Sequence, residues 1–284
     1  MEKVTLSNGV EMPVIGFGVY QIPPAETARC VRDALEVGYR HIDTAQAYAN
    51  EAEVGQAVAE SGLAREDVFL TTKVWIDRYG DKRAYASVCE SLTKLLTDYI
   101  DLVLLHQPFA DCYGSWRALE KLYAEGKIRA IGVSNFGPGR LADLGAFNDV
   151  APMVNQIETN PLHQQVAAHD AMTQRGVCHE AWAPFGEGRQ GMFTNPVLAE
   201  IAAAHGKSVA QVIVRWLVQR DIVVLAKSTH RERMAENLDV FDFALTGDDM
   251  ARIAALDEGA SLFLDHDAPE TVDLFLGFIG QRRD

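Results

Sequence analysis

Features of secreted, membrane-spanning and fibrous proteins are scarce in this 284-residue sequence. It has four cysteines, and none of them stands at the Cys-x-x-Cys spacing typical of zinc or redox sites. No apolar run approaches the roughly eighteen residues that a membrane-spanning helix needs. The first residues, MEKVTLSNGVEMP, are too polar for a signal peptide. We therefore expect a cytoplasmic protein with reduced thiols and no membrane association.

Positive charge is also in short supply. The 26 Lys and Arg residues face 40 Asp and Glu residues, which gives a formal net charge of −14. A surface this acidic repels phosphate backbones, so we expect no nucleic-acid partner. A small anionic ligand would need a local cluster of basic side chains. The hydrophobic fraction of 48% is ordinary for a folded domain and argues against disorder, collagen-like repeats and coiled coil.

Short apolar runs alternate with longer amphipathic stretches along most of the chain. Residues 4–6 and 10–12 predict a β-hairpin around Ser7-Asn8-Gly9, and its Asn-Gly pair suits a type I′ turn. Apolar runs predict eight further strands at residues 14–17, 41–43, 68–74, 99–106, 128–133, 153–157, 177–182 and 222–225. Apolar positions three and four apart predict helices at 25–37, 50–61, 81–96, 115–125, 138–147, 163–175, 195–205, 208–219 and 231–240. Glycines 38, 62, 126, 176 and 206 follow several of these helices and predict left-handed caps.

Eight strands that alternate with helices imply an α/β fold with a parallel sheet. We expect the sheet to close into a (β/α)8 TIM barrel, with an open doubly wound sheet as the alternative. No linker or internal repeat divides the chain, so residues 1–284 are expected to form a single domain. A C-terminal tail carries helical patterns at 248–256 and 271–278, with a loop at 259–269 between them. The sequence leaves open whether this tail covers the barrel mouth or its side.

Polar residues stand where the predicted strands end. Active sites of such barrels lie at the carboxyl ends of the strands. Asp43, Lys73 and His106 occupy three of these ends, and Tyr48 follows in the loop after Asp43. Each residue alone has a structural explanation, but their convergence on one rim favours chemistry. Further polar or aromatic residues at strand ends are Ser134, Asn135, Gln156, Trp182, Lys227 and Ser228.

The four groups suit proton transfer to a carbonyl oxygen. An ammonium group stabilises phenolate, so we expect Lys73 to lower the pKa of Tyr48. Asp43 would hold Lys73 in place, and His106 would orient the carbonyl. The pattern contains no metal-ligand set, so we expect no metal, and a hydride has to come from a cofactor.

Four segments resemble signatures of the aldo-keto reductase family of NAD(P)H-dependent oxidoreductases. They are GYRHIDTAQAYANE from Gly38, YIDLVLLHQP from Tyr99, GKIRAIGVSNF from Gly126, and AKST with Arg233, Glu236 and Asn237 near the end. The matches follow the family order from about residue 5 to 265. The tail that starts at Ser261, SLFLDH, is similar to that of bacterial members reducing diketo sugar acids and small aldehydes.

The resemblance implies a role for each matching residue. Tyr48 would be the proton donor, supported by Lys73 and Asp43, with His106 at the substrate carbonyl. Trp182, where many members have Tyr, would stack on the nicotinamide. The nicotinamide carboxamide would be bound by Ser134, Asn135 and Gln156, and the pyrophosphate by the loop 186–193 with Gly186 and Gly188. The 2′-phosphate would be bound by Lys227, Ser228, Thr229 and Arg233, and the adenine by Glu236 and Asn237.

The resemblance implies an NADPH-dependent reductase of aldehydes and ketones. The basic cluster of Lys227, Arg231 and Arg233 in an acidic chain favours NADPH over NADH. Tyr20, Trp75 and Phe109 are expected to wall the substrate pocket, together with His106. A monomer is the expected state.

Alternatives remain open at this stage. Loop 186–193 could also be a flexible connection, and Trp182 could belong to the core packing. Arg233 could be a solvated charge, and the pocket aromatics could pack the barrel rim. Two other functions also fit the fold: a cofactor-binding sensor or auxiliary subunit, and a lyase with Lys73 as a Schiff base. Cofactor binding without turnover would indicate the former, and borohydride trapping on Lys73 the latter.

Overall fold

A computed structural model describes residues 2–281, and its centre is a closed barrel of eight parallel strands. The strands are β3 (Ile15–Gly18), β4 (His41–Asp43), β5 (Phe69–Val74), β6 (Ile100–Leu105), β7 (Ile128–Ser134), β8 (Val154–Glu158), β9 (Cys178–Trp182) and β10 (Val223–Ala226). They pair in chain order, and β10 also pairs with β3 to close the ring. The predicted (β/α)8 barrel is thereby confirmed and the open sheet excluded.

Helices follow the strands and bury their apolar faces against the barrel. They are α1 (Pro24–Val37), α2 (Glu51–Ala59), α3 (Asp81–Lys94), α4 (Cys112–Ala124), α5 (Pro138–Ala146), α6 (Val166–Thr173), α7 (Pro196–His205), α8 (Val209–Val218), α9 (Arg231–Leu238), α10 (Gly247–Ala254) and α11 (Pro269–Gln281). Ser208 and Thr246 begin α8 and α10 through reciprocal capping boxes. The five glycines expected to cap helices all have positive φ, between 63° and 118°.

An N-terminal hairpin precedes the barrel. Its strands are β1 (Lys3–Thr5) and β2 (Glu11–Pro13), with Val4 opposite Met12. The expected type I′ turn is wrong, because that turn needs positive φ at Asn8 as well as at Gly9. Only Gly9 has it, and the N–H of Gly9 donates to the Leu6 carbonyl in a three-residue loop. The Asn8 side chain instead donates to the Arg129 carbonyl at 2.9 Å, which holds the hairpin against the amino end of β7.

The C-terminal tail crosses the opposite end of the barrel, which answers the question that the sequence left open. After α10 the chain forms a loop and then α11. Phe275 of α11 is buried, with its ring centroid 5.7 Å from that of Trp75 and 5.5 Å from that of Phe109. The tail therefore lies over the carboxyl ends of the strands, which we call the barrel mouth. Within residues 2–281 no single helix has the length and apolarity to cross a membrane; only α7 and α8 taken together, bent by 87°, meet that criterion.

Candidate active site

Asp43 and Lys73 form an ion pair inside the barrel mouth. The Lys73 Nζ donates to Asp43 Oδ1 at 2.6 Å, to the backbone oxygen of Thr44 at 3.0 Å and to Tyr48 Oη at 3.3 Å. An ammonium group has three N–H donors, so all of them are used. Both charged residues are buried: the exposed fraction is 0% for Lys73 and 3% for Asp43. The lysine is therefore fixed in position by the groups around it.

Tyr48 reaches this pair from a short 3-10 turn, Gln46–Tyr48, directly after β4. Its ring lies 4.9 Å from the ring of Tyr20 and edge-on to that of His106 at 5.7 Å, between centroids. Lys73 can only donate, so the Tyr48 oxygen is the acceptor in their hydrogen bond. The hydroxyl proton of Tyr48 is consequently available to a different acceptor.

Burial and charge act in opposite directions on these groups. Burial raises the pKa of Tyr48 to about 12, and Lys73 only partly opposes that shift. The expected lowering by Lys73 is thus present but outweighed, because the phenolate would lose its contact with water. Burial lowers the pKa of Lys73, but Asp43 and Tyr48 more than offset this, so that pKa lies above its ordinary value. The ammonium and the neutral phenol are the favoured forms at neutral pH.

A second group of expected site residues lies beside His106. The indole Nε1 of Trp182 donates to Asn135 Oδ1 at 2.9 Å. The Asn135 Nδ2 donates to the His106 carbonyl at 3.1 Å, and the Ser134 hydroxyl donates to the Gln156 carbonyl at 2.8 Å. Ser134 and Trp182 end β7 and β9, Asn135 directly follows β7, and Gln156 lies in the middle of β8 rather than at its expected end. All four share one side of the mouth. The structure therefore brings the residues expected at the nicotinamide together with those of the ion pair.

Gln156 links this group to the ion pair through a residue that the sequence reading missed. Its Nε2 donates to Asp43 Oδ2 at 3.0 Å and to Glu180 Oε2 at 2.8 Å. Glu180 lies opposite Gln156 in the register of β8 and β9 and is completely buried. Burial, reinforced by Asp43, raises the pKa of Glu180 to about 8. An acidic residue in the middle of a predicted buried strand was the available sequence signal.

The walls of the mouth are aromatic, and the tail supplies part of them. Trp75 packs on the His106 ring with centroids 5.0 Å apart. Phe109 stacks on His266 of the tail at 6.2 Å, and the His266 Nε2 lies 3.1 Å from Gln107 Oε1. Of the residues expected to contact substrate, Trp75, His106 and Phe109 are grouped here, while Tyr20 stands on the Tyr48 side with its side chain half exposed. Sequence reasoning did not single out His266, because its place depends on a contact 159 residues away.

The loop after β9 is anchored rather than free. Gly186 and Gly188 have φ values of +54° and +75°, which a residue with a Cβ rarely adopts. A Cβ at Gly186 would lie 2.8 Å from the Leu262 side chain of the tail, so a larger residue would require that side chain to shift. Glu187 accepts a hydrogen bond from Gln21 across the mouth at 3.2 Å. These contacts argue against a flexible connection.

The residues expected at the adenosine end follow β10 and continue into α9. Lys227 and Arg233 are exposed and make no salt bridge within the described part of the chain. Arg231 differs, because its guanidinium pairs with Glu36 at 2.5 Å. The basic cluster therefore offers two open cations rather than three. The remaining expected residues are Ser228 (buried), Thr229 and Glu236 (half-buried) and Asn237 (buried beside the Tyr39 hydroxyl).

Comparison with known proteins gives the same picture at the level of the family. The sequence profile of the Aldo/keto reductase family matches residues 14–258. A 9,11-endoperoxide prostaglandin H2 reductase of Trypanosoma cruzi is 48% identical over 90% of this chain and 91% of its own. A glyoxal reductase of Bacillus subtilis is 46% identical over 90% of this chain and 93% of its own. The crystal structure of a Bombyx mori aldo-keto reductase in complex with NADP superposes with a TM-score of 0.89, at 33% identity over 94% of this chain and 96% of that one.

The chain belongs to the aldo/keto reductase family. This confirms the resemblance drawn from the four sequence segments, and it supports carbonyl reduction by an oxidoreductase. The names of the two relatives describe different substrates, so family membership leaves the substrate of this chain undetermined.

Proposed function

We propose that the protein reduces aldehydes and ketones to alcohols with NADPH, and that Tyr48 donates the proton. The observation that carries the proposal is the hydrogen bond from Lys73 Nζ to Tyr48 Oη, at 3.3 Å. It occupies the phenol oxygen and leaves the phenol proton for a substrate oxygen. The other Lys73 donors are used by Asp43 and Thr44, so the lysine does not compete for the substrate.

The proton transfer follows from the relative basicity of the two oxygens. An alkoxide is a stronger base than a phenolate, so even a buried phenol is acidic enough to protonate the oxygen as it becomes negative. The adjacent ammonium of Lys73 then stabilises the phenolate that remains. His106 borders the same space and would orient the carbonyl oxygen toward Tyr48.

The residues of the mouth fit a nicotinamide dinucleotide with an additional phosphate. Amides at Asn135 and Gln156 suit a carboxamide, and the half-buried Trp182 ring suits an aromatic face. At the other end, the open cations of Lys227 and Arg233 would hold a 2′-phosphate, together with Ser228 and Thr229. When bound, the cofactor would supply the hydride. Glu236 and Asn237 of α9 would lie at the adenine.

The aromatic walls favour carbonyl substrates with an apolar or aromatic body. Trp75, Phe109 and Phe275 enclose one side of the space next to His106 and Tyr48. Aromatic side chains recognise apolar surface with little conformational cost. The fit supports aldehydes and ketones as a class.

The test is carbonyl-dependent loss of the near-ultraviolet absorbance of NADPH. Tyr48→Phe should lower kcat by about 10²–10⁴-fold, because it removes the general acid, while NADPH binding should change little. Tyr113→Phe is the matched control, since the Tyr113 hydroxyl donates to Asp143 on the helical exterior. A Tyr48→Phe enzyme that keeps the wild-type rate would contradict the mechanism. NADPH binding without turnover by the wild type would instead favour a sensor.

Cofactor preference has its own test. Replacing both Lys227 and Arg233 by Ala should weaken NADPH binding by roughly ten- to a hundredfold per cation, because each would lose a charge-assisted hydrogen bond of about 1.5–3 kcal/mol. NADH binding should stay the same. Arg231→Ala is the control, as that guanidinium already pairs with Glu36. An unchanged NADPH-to-NADH ratio in the double variant would show that the 2′-phosphate binds elsewhere.

A further inference from the structure

The interior of the barrel directly beneath the ion pair is polar. Glu180 Oε2 accepts from Gln156 Nε2, and the same nitrogen donates to Asp43 Oδ2. Both N–H groups of one amide are thus used by two carboxyl groups. The second oxygen of Glu180, Oε1, has no hydrogen-bond partner among residues 2–281 and lies 3.7 Å from His41 Nε2.

Charge balance distinguishes the two carboxyl groups. Lys73 is the cation in this space, and it lies 2.6 Å from Asp43. His41 is neutral, since burial lowers its pKa to about 3. One ammonium compensates one carboxylate, and an uncompensated carboxylate at a buried position costs several kcal/mol. Glu180 avoids this cost by keeping its proton.

We propose that Glu180 is a positioning residue for the reduction: as a neutral carboxylic acid it holds the Gln156 amide against Asp43 and leaves the charge of Lys73 to Asp43 and Tyr48. This inference rests on the proposed function. The amide oxygen of Gln156 then remains as the acceptor that the side chain can offer to a carboxamide. Ionisation of Glu180 would add a second negative charge beside Asp43 and draw Lys73 away from Tyr48.

The groups packed around Glu180 determine how its protonation changes with pH. Those facing it are Asp43 and His41 from β4, Lys73 from β5, Gln156 from β8, Cys178 from its own strand, and the apolar Val223 from β10. Burial raises the pKa of Cys178 to about 12, so that thiol stays neutral through the range of interest. Burial and Asp43 raise the pKa of Glu180 to about 8. Ionisation near pH 8 is therefore the change to follow.

The first measurement uses the protein without cofactor. Infrared difference spectra of wild type minus Glu180→Gln at pH 7 should contain the C=O stretch of a protonated carboxylic acid, and wild type should lose this band as the pH rises through about 8. Glu51→Gln is the control: Glu51 is buried outside the barrel interior and accepts from Thr72 at 2.7 Å. Absence of the band from the wild-type spectrum would overturn the proposal. This outcome is measured on wild type alone, so it does not depend on whether the variant folds.

The second measurement is the pH profile of reduction. The wild-type kcat should be about tenfold lower at pH 9 than at pH 7, because one pH unit above the midpoint leaves about a tenth of the acid form. Glu180→Gln keeps a neutral acceptor for Gln156, so it should retain kcat at pH 7 and lose this decline. Glu51→Gln should show the wild-type profile. The same decline in Glu180→Gln would overturn the proposal, whereas a wild type without reductase activity would overturn the proposed function and leave the infrared result to decide on Glu180.

Discussion

The ion pair between Lys73 and Asp43 allows stability to be separated from catalysis. Lys73→Met leaves the Asp43 carboxylate buried, and removing one partner of such a pair costs roughly 3–5 kcal/mol of unfolding free energy. Asp43 retains the Gln156 N–H at 3.0 Å, but a neutral donor offsets only about 0.5–1.5 kcal/mol. For a chain of this size the thermal midpoint should fall by about 2–4 °C per kcal/mol. We therefore expect the midpoint of Lys73→Met to be roughly 3–18 °C below that of wild type.

A second substitution tests the reasoning. Asp43→Asn removes the orphaned charge and keeps an oxygen that accepts from Gln156. The Lys73→Met/Asp43→Asn protein should regain most of the lost midpoint, because neither partner is then charged. Its kcat should stay as low as that of Lys73→Met, since no ammonium stabilises the Tyr48 phenolate. Circular dichroism and the NADPH assay measure the two quantities. A double variant no more stable than the single one would refute the assignment of the cost to an unpaired charge.

Two further predictions concern the barrel interior. A Cβ at Gly16 would lie 2.6 Å from the His41 ring, so Gly16→Ala should lower the free energy of unfolding by about 1–3 kcal/mol. The control is Gly139→Ala in α5, where a Cβ has open space around it. This variant should raise the free energy of unfolding by about 0.5–1 kcal/mol. Equal urea midpoints for the two variants would contradict this. Burial lowers the pKa of His41 from 6.5 to about 3, so the unfolded chain binds the proton first and stability falls as the pH drops through this window. His41→Gln should therefore lose less of its thermal midpoint between pH 7 and pH 5 than wild type, and a larger loss would show that His41 is charged in the folded protein.

The barrel and the positions of the candidate site residues could be predicted because both depend on local pattern. Short apolar runs predicted the eight strands to within one residue at each end, and Asp43, Lys73 and His106 stand at a strand end or one residue from it. The Asn8-Gly9 pair was misread because a three-residue loop needs positive φ at Gly9 alone. Turn residues allow more than one geometry, so the loop length has to be known.

Other features depend on packing between distant parts of the chain and could not be predicted from the sequence. The tail covers the mouth because Phe275 contacts Trp75 and Phe109, which lie 166 or more positions earlier in the chain. The pKa of Tyr48 depends on how deeply the phenol is buried, which residue types do not reveal. Glu180 was missed because the sequence analysis considered polar residues at the strand ends, and Glu180 lies in the middle of β9.

Burial of Tyr48 favours the protonation state that the proposed reduction requires. In the proposed mechanism, alcohol oxidation would need Tyr48 as a phenolate that accepts a proton, and burial raises the pKa of that phenol to about 12. Reduction would need the neutral phenol, which is the form that this pKa favours at neutral pH. Lys73 does not reverse this preference, but it lowers the cost of the phenolate formed after proton transfer. The neutral Glu180 that we propose would maintain this balance, because it would leave the only ammonium among the groups that face it to Asp43 and Tyr48. The polar interior beneath the site would therefore act on the same step as the tyrosine itself.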